Sequence, residues 1–81
     1  MMSVKDAVVE RFTNICKERN IKVNELATLS GVTPSTAYSM FDPSRHDVSI
    51  VTIKKFCDGL DLSLKDFFNS NEFENLEQEI K

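Results

Sequence analysis

The spacing of apolar residues predicts a chain of short helices. The first helix is expected to begin after Ser3, which forms a capping-box pattern with Asp6. Its apolar face recurs at steps of three and four residues, the period of one helix face: Val4, Val8, Phe12, Ile15 and Cys16. Asn20 is the expected stop, because asparagine tolerates the left-handed backbone that commonly ends a helix.

A glycine turn separates the second and third predicted helices. Residues 22–41 contain two short helical patterns on either side of Ser30-Gly31-Val32, and Gly31 stands where a left-handed turn is needed. The second helix covers roughly 23–29 and is expected to bury Leu26, Ala27 and Leu29. It begins with Lys22 in place of a Ser or Thr cap, a substitution that costs about 1 kcal/mol.

The third helix has a sharper start and end. Thr33 is a good N-cap, and Pro34 suits the first helical position because its missing N–H costs nothing there. The helix ends before Asp42-Pro43, since the residue before a proline avoids the helical region. Ala37 and Met40 are expected to face the core. The remaining side chains then face outward: Ser35, Tyr38 and Ser39, with Thr36 at the edge.

Two further helices and a tail complete the pattern. The fourth helix opens at Ser49 and is expected to bury Ile50, Ile53, Phe56, Cys57 and Leu60. The fifth opens with a capping box from Ser63 to Asp66 and offers Leu64, Phe67 and Phe68. Residues 69–81 repeat Phe73, Leu76 and Ile80 behind a capping box of Asn71 and Glu74, which predicts an amphipathic helix or tail. Three arrangements of this segment are open: it packs on the fifth helix of its own chain, it joins a second copy, or it is frayed in solution.

Composition suits one small all-α domain. The 81 residues are 41% hydrophobic, enough for a single core. Cys16 and Cys57 fall within apolar stripes, so we expect buried, reduced thiols. The two cysteines and His46 lack the tight spacing of a metal site, and no metal or cofactor is expected. No stretch approaches the roughly 20 apolar residues of a membrane span, and the start lacks a signal-peptide pattern. We therefore expect a cytoplasmic protein.

The net charge of −3 is unusual for a nucleic-acid-binding domain, which is often basic. Residues 1–68 contain nine Lys or Arg and nine Asp or Glu, so this part is neutral. The whole net charge therefore lies in residues 69–81, where four glutamates accompany Lys81. Binding depends on the local potential at the docking face rather than on the sum.

The segments NELATLSGVTPSTAYSM and SIVTIKKFCDGLDLSLKDFF resemble the Cro and phage-repressor type of helix-turn-helix regulators, the XRE family. The resemblance covers residues 8–68. It implies a compact five-helix, lambda-repressor-like DNA-binding domain at 1–68, followed by an acidic amphipathic tail at 69–81. The helix-turn-helix motif would be 22–41 and the recognition helix 34–41. It also implies a bacterial or mobile-element source and operator DNA as the partner.

The expected DNA-binding residues fall into two groups. The outer face of the third helix bears hydroxyls: Thr33, Ser35, Thr36, Tyr38 and Ser39. We expect Ser35 and Ser39 to approach bases, and Tyr38 to contact a phosphate or sugar. Phosphate contacts are expected from Lys22 at a helix start and from the loop residues Ser44, Arg45 and His46. The third helix has no Arg, Gln or Asn for bidentate base contacts, so the shape of the DNA and paired half-sites must contribute to specificity.

The leading hypothesis is a sequence-specific transcriptional regulator, a repressor that occupies its operator as a dimer. The C-terminal segment is one route to a homodimer. The alternative is a protein-interaction module, such as an antirepressor or antitoxin component, that keeps the fold without strong DNA binding. An enzyme is not expected, because the sequence offers no nucleophile with a nearby base and no glycine-rich phosphate loop. No small-molecule ligand is evident.

Overall fold

The computed structural model describes residues 2–80, which form five α-helices and one 3-10 turn. They are α1 (Val4–Arg19), α2 (Val23–Ser30), α3 (Pro34–Phe41), α4 (Ile50–Gly59), α5 (Leu64–Phe68) and the 3-10 turn Asn71–Phe73. The predicted all-α fold is confirmed. None of the helices in this range has the length and hydropathy needed to cross a membrane. Met1 and Lys81, which the predicted domain and tail include, lie outside the described residues.

Side-chain caps fix the helix starts where the sequence predicted them. In four helices a Ser or Thr hydroxyl accepts the backbone N–H three residues ahead: Ser3 from Asp6, Thr33 from Thr36, Ser49 from Thr52 and Ser63 from Asp66. Left-handed backbone then ends α1 and α2, at Asn20 (φ 55°) and Gly31 (φ 67°). Short-range chemistry therefore sets where these elements begin and end.

An aromatic cluster joins the first, fourth and fifth helices. The ring of Phe12 lies 5.5 Å from that of Phe56 and 4.4 Å from that of Phe67, measured between centroids. All three side chains are fully buried. The other large side chains that are fully enclosed are Leu26, Leu60, Val8 and Cys57. One core therefore supports every helix that borders the candidate site.

Both cysteines are free and buried, as the sequence predicted. Burial raises the pKa of the Cys16 thiol, and it raises the pKa of Cys57 to about 11. Thiols with raised pKa values carry little reactive thiolate near neutral pH. Within residues 2–80, no three His, Cys, Asp or Glu side chains cluster as metal ligands would.

The prediction that Leu29 lies in the core was wrong. The inward face of α2 runs through Leu26 and Ala27 to Ser30, and Leu29 lies beside it, 56% exposed. Ser30 fills the inward position because α2 approaches α4 closely. A Cβ atom placed on Gly59 would lie 2.5 Å from Ser30 Oγ and 2.9 Å from the Leu29 carbonyl oxygen. A larger side chain at position 30 would not fit this contact.

Two predictions at helix starts were also wrong. Ile50, the first residue of α4, is 55% exposed, because Val48 ahead of the cap packs against the core instead. That placement matches the preceding residue of a hydrophobic staple. In α1, Val4 is exposed although it was expected on the apolar face, whereas Lys5 lies on the buried stripe with only 4% of its surface exposed.

The C-terminal segment packs against its own chain. The ring of Phe73 lies 5.6 Å from that of Phe67 and 4.9 Å from that of Phe68, between centroids. The predicted capping box of Asn71 and Glu74 does not start a longer helix. Helical structure stops after one 3-10 turn, and the chain then continues without regular secondary structure apart from a single bridge at Leu76.

The part of the tail that follows the 3-10 turn meets the first residues of the described chain. Leu76 forms an isolated parallel bridge with Met2, and the Glu77 N–H donates to the Met2 carbonyl over 2.9 Å. Leu76 is half-buried, whereas Ile80 is exposed. Of the predicted apolar stripe, Phe73 and Leu76 are therefore partly buried and Ile80 is not.

We predict that Gly59→Ala destabilises the domain, although alanine normally favours a helix by about 1 kcal/mol over glycine. The added methyl group would collide with the backbone of α2. Overpacking of this kind costs about 1–3 kcal/mol. Urea unfolding followed by circular dichroism measures the change, with the exposed Lys55→Ala in the same helix as a control. A stability equal to or above wild type would contradict the close approach.

Candidate nucleic-acid interface

The third helix rests on two buried residues and presents a polar face. Ala37 and Met40 are enclosed in the core, as the sequence predicted. Ser35 and Tyr38 are exposed, with 55% of Tyr38 open to solvent, and Ser39 is half-buried. The outer surface of α3 is therefore small, polar and rich in hydroxyls.

Two of these hydroxyls support the start of the helix. Thr33 Oγ1 accepts the Thr36 N–H over 3.2 Å, and the two threonine hydroxyl oxygens lie 3.1 Å apart. Each hydroxyl keeps further hydrogen-bonding capacity, because it combines one donor with two acceptor positions. The pair is therefore held in place while both residues remain exposed.

A groove flanks α3 on the side of α1 and α2. Lys17, Lys22 and Tyr38 line it together with Phe41. Lys22 is the exposed N-cap of α2, and its own N–H donates to the Glu25 carboxylate over 3.4 Å. The first N–H groups of a helix have no partner within the helix and carry the positive end of its dipole. A lysine beside them makes this end of α2 suited to an anion.

A second groove flanks α3 on the side of the loop and α4. Thr36, Ser39 and Arg45 line it, together with Asp47, Ser49 and Thr52. Arg45 is largely exposed. The hydroxyl face of α3 thus lies between a lysine-bearing groove and an arginine-bearing groove. A polar face with cations at each edge is suited to binding a polyanion.

A tight turn links α3 to the arginine. The Arg45 N–H donates to the Asp42 carbonyl over 3.1 Å, and Asp42 Oδ1 accepts the Ser44 N–H at 2.9 Å and the Ser44 hydroxyl at 2.8 Å. Asp at the first position and Pro43 at the second are typical of such a turn. Arg45 Nε lies 3.9 Å from Asp42 Oδ2. Exposed pairs of this kind contribute little, so the guanidinium can turn to another anion.

The family model for the Cro/C1-type HTH DNA-binding domain matches residues 11–72. The chain belongs to this family. A solved structure described as the crystal structure of the prophage Lp1 protein 11 is similar, with a TM-score of 0.80 and 30% identity. The similarity covers 94% of this chain and 100% of that one. Comparison with curated protein sequences finds no match.

The Cro/C1-type domain brings some of the predicted binding residues together and leaves others apart. Thr36, Ser39 and Arg45 share one groove, and Lys22 and Tyr38 share the other. The remaining predicted residues have different settings: Thr33 caps α3, Ser35 is exposed on it, Ser44 is hydrogen-bonded to Asp42, and His46 is exposed in the loop.

Sequence reasoning missed two lysines in this Cro/C1-type domain. Lys17 lines the groove that contains Lys22 and Tyr38, and its place in the last turn of α1 was the available signal. Lys5 is buried, and its Nζ donates to the carbonyl oxygens of Asp42 at 3.2 Å and Arg45 at 2.8 Å. Its position in line with the apolar stripe of α1 was the signal.

One acidic group of the tail, Glu72, lies against α1. Glu72 accepts a hydrogen bond from the Asn14 side chain over 2.9 Å, and it shares a polar groove with Glu10 and Glu18. Because α1 and the 3-10 turn pack together, this groove is separate from the two that flank α3. The carboxylate of Glu72 is therefore placed apart from the two grooves that flank the hydroxyl face.

We predict a pH dependence at the turn after α3. Hydrogen bonds from the Ser44 N–H and hydroxyl hold the pKa of Asp42 below its ordinary value. The turn therefore gains stability above the ordinary value of about 3.9 and loses it as the pH falls through the lower native value. NMR titration of the Asp42 carboxyl group measures this. Ser44→Ala should raise the pKa partly, and an unshifted wild-type value would contradict the turn.

Proposed function

We propose that this domain is a sequence-specific DNA-binding transcriptional regulator that inserts α3 into the major groove. The observation that supports it most directly is the exposed hydroxyl face of α3 between two cation-bearing grooves. A helix of this size fits the major groove, and its flanking elements then meet the phosphate backbone on either side.

Base contacts in this proposal come from Ser35, Thr36 and Ser39. Their hydroxyl groups donate or accept, so each one discriminates weakly between bases, and the methyl group of Thr36 suits a thymine methyl. Ser35 and Thr36 are the more accessible candidates because both are exposed, whereas Ser39 is half-buried at the wall of the second groove. Tyr38 lies beside Lys22 and is assigned to sugar or phosphate.

Phosphate contacts in this proposal come from both flanks. Lys22 acts with the N-terminal amides of α2, and Arg45 acts from the turn, with Ser44 and His46 beside it. Asp42 and Asp47 lie close to Arg45 and partly offset its charge. The affinity of one domain should therefore be modest, in the range of about 10⁻⁴–10⁻⁶ M for non-specific contacts.

Two copies on paired half-sites about 34 Å apart would raise this affinity. We propose such a dimer on an operator, acting as a repressor in the cytoplasm of a bacterium. The tail offers Leu76 and Ile80 to a second copy, because the first is half-buried and the second exposed.

A second candidate function is a protein-interaction module. The exposed apolar side chains Leu29, Ile50 and Val51 favour it, because surface residues of this kind often mark contacts with another protein. The net charge of −3 also favours it over a strong interaction with DNA.

We predict that affinity for DNA upstream of the protein's own gene falls steeply with salt, and that Arg45→Ala reduces the slope of log K against log salt by about one. Ser35→Ala should leave that slope unchanged and alter which sequences are preferred, because it removes a hydroxyl rather than a charge. Fluorescence anisotropy over a salt series and selection from a random duplex pool measure the two effects.

Lys65→Ala is the matched control, because it removes the same charge from α5, which packs on α4. It should change the slope much less than Arg45→Ala. If wild-type protein binds no duplex even at low salt, the interaction-module function replaces the DNA-binding one.

A further inference from the structure

One buried cation joins the first helix to the loop after α3. Only 4% of Lys5 is exposed, and its Nζ donates to the Asp42 carbonyl at 3.2 Å and the Arg45 carbonyl at 2.8 Å. These two carbonyls stand at the first and last residues of the tight turn. A residue about 40 positions away in the sequence therefore holds both ends of the turn.

The position of Lys5 is unfavourable within its own helix. It lies in the first turn of α1, where the helix dipole presents its positive end, and its ammonium is removed from water. The compensating contact is the C-terminal end of α3, which carries negative partial charge. Asp42, the C-cap of α3, is one of its two acceptors. The ammonium charge of Lys5 is therefore stabilised by the turn after α3 and not by its own helix.

The start of α1 is itself held in place. Met2, three residues before Lys5, is bridged to Leu76, and its carbonyl accepts the Glu77 N–H over 2.9 Å. Ser3 caps the helix between them. The side chain of Lys5 therefore extends from backbone that is held by the bridge at Met2 and by the cap at Ser3.

We propose that Lys5 is a positioning residue for DNA binding: it fixes the turn so that Arg45 is presented to a DNA phosphate. The inference rests on the proposed DNA-binding function. Lys5 makes no contact with DNA in this proposal, because it is buried beneath the loop. A loop that is already ordered loses less conformational freedom on binding, so the arginine contact is stronger than it would be from a mobile loop.

The test measures duplex affinity for Lys5→Met, which keeps a similar length and apolar stem but has no donor. We expect roughly tenfold weaker binding at low salt, about one order in the dissociation constant, and a salt slope close to that of Arg45→Ala. Lys65→Met makes the same chemical change at an exposed site on α5 and should bind nearly as wild type. Comparable losses in both variants would mean a general charge effect and would overturn the proposal.

A double variant separates positioning from a general loss of structure. If Lys5 acts through Arg45, then Lys5→Met in the Arg45→Ala background should weaken binding little further. Circular dichroism and urea unfolding establish that each variant is folded under the binding conditions. Losses that simply add would show that Lys5 acts elsewhere, and the proposal would be wrong.

A second variant covers the case in which Lys5→Met does not fold. If Lys5→Met does not fold, Lys5→Gln is uncharged and one side-chain atom shorter, so it should hold the two carbonyls less well and show a smaller loss of affinity and slope in the same direction. Wild-type affinity in the folded variant overturns the positioning role while DNA binding stands. Absence of wild-type binding to any duplex overturns the DNA-binding function itself.

Discussion

The close approach of α2 to α4 governs where the polar helix stands. Ser30 and the Leu29 backbone occupy the space that a side chain at position 59 would need, so the two helices meet at glycine. α3 follows α2 after the three-residue turn that Gly31 opens, and it packs back on α2 with Ala37 and Met40 buried in the core. A shift of α2 would therefore carry the hydroxyl face of α3 with it. The position of the exposed hydroxyl groups therefore depends on the contact between α2 and α4.

The helix starts were readable from the sequence because their determinants are local. Ser3, Thr33, Ser49 and Ser63 each act on a backbone N–H three residues away, and no tertiary information is needed to recognise that pattern. The outward hydroxyls of α3 could be predicted for the same reason, since Ala37 and Met40 fix which side faces inward. Their roles on DNA stay predictions.

Errors occurred where burial depends on neighbours distant in the sequence. Apolar character alone placed Leu29 and Ile50 inside, whereas the close contact with Gly59 and the packing of Val48 decided otherwise. Periodicity places Lys5 in line with the apolar stripe of α1 but could not reveal its two acceptors, because these carbonyls reach it only when the loop after α3 folds over it. The tail likewise forms one 3-10 turn where its periodicity predicted a helix, and the ring of Phe73 packs on Phe67 and Phe68, contacts that the sequence alone does not reveal.

The bridge between Met2 and Leu76 has a consequence for the architecture as a whole. It brings the beginning and the end of the described chain to one edge of the domain, next to α1. A short peptide could join Met2 to Glu77 without moving any helix, since closely spaced chain ends are what circular permutation requires. Backbone that enters the domain at Met2 and leaves it at Glu77 therefore passes through one shared edge.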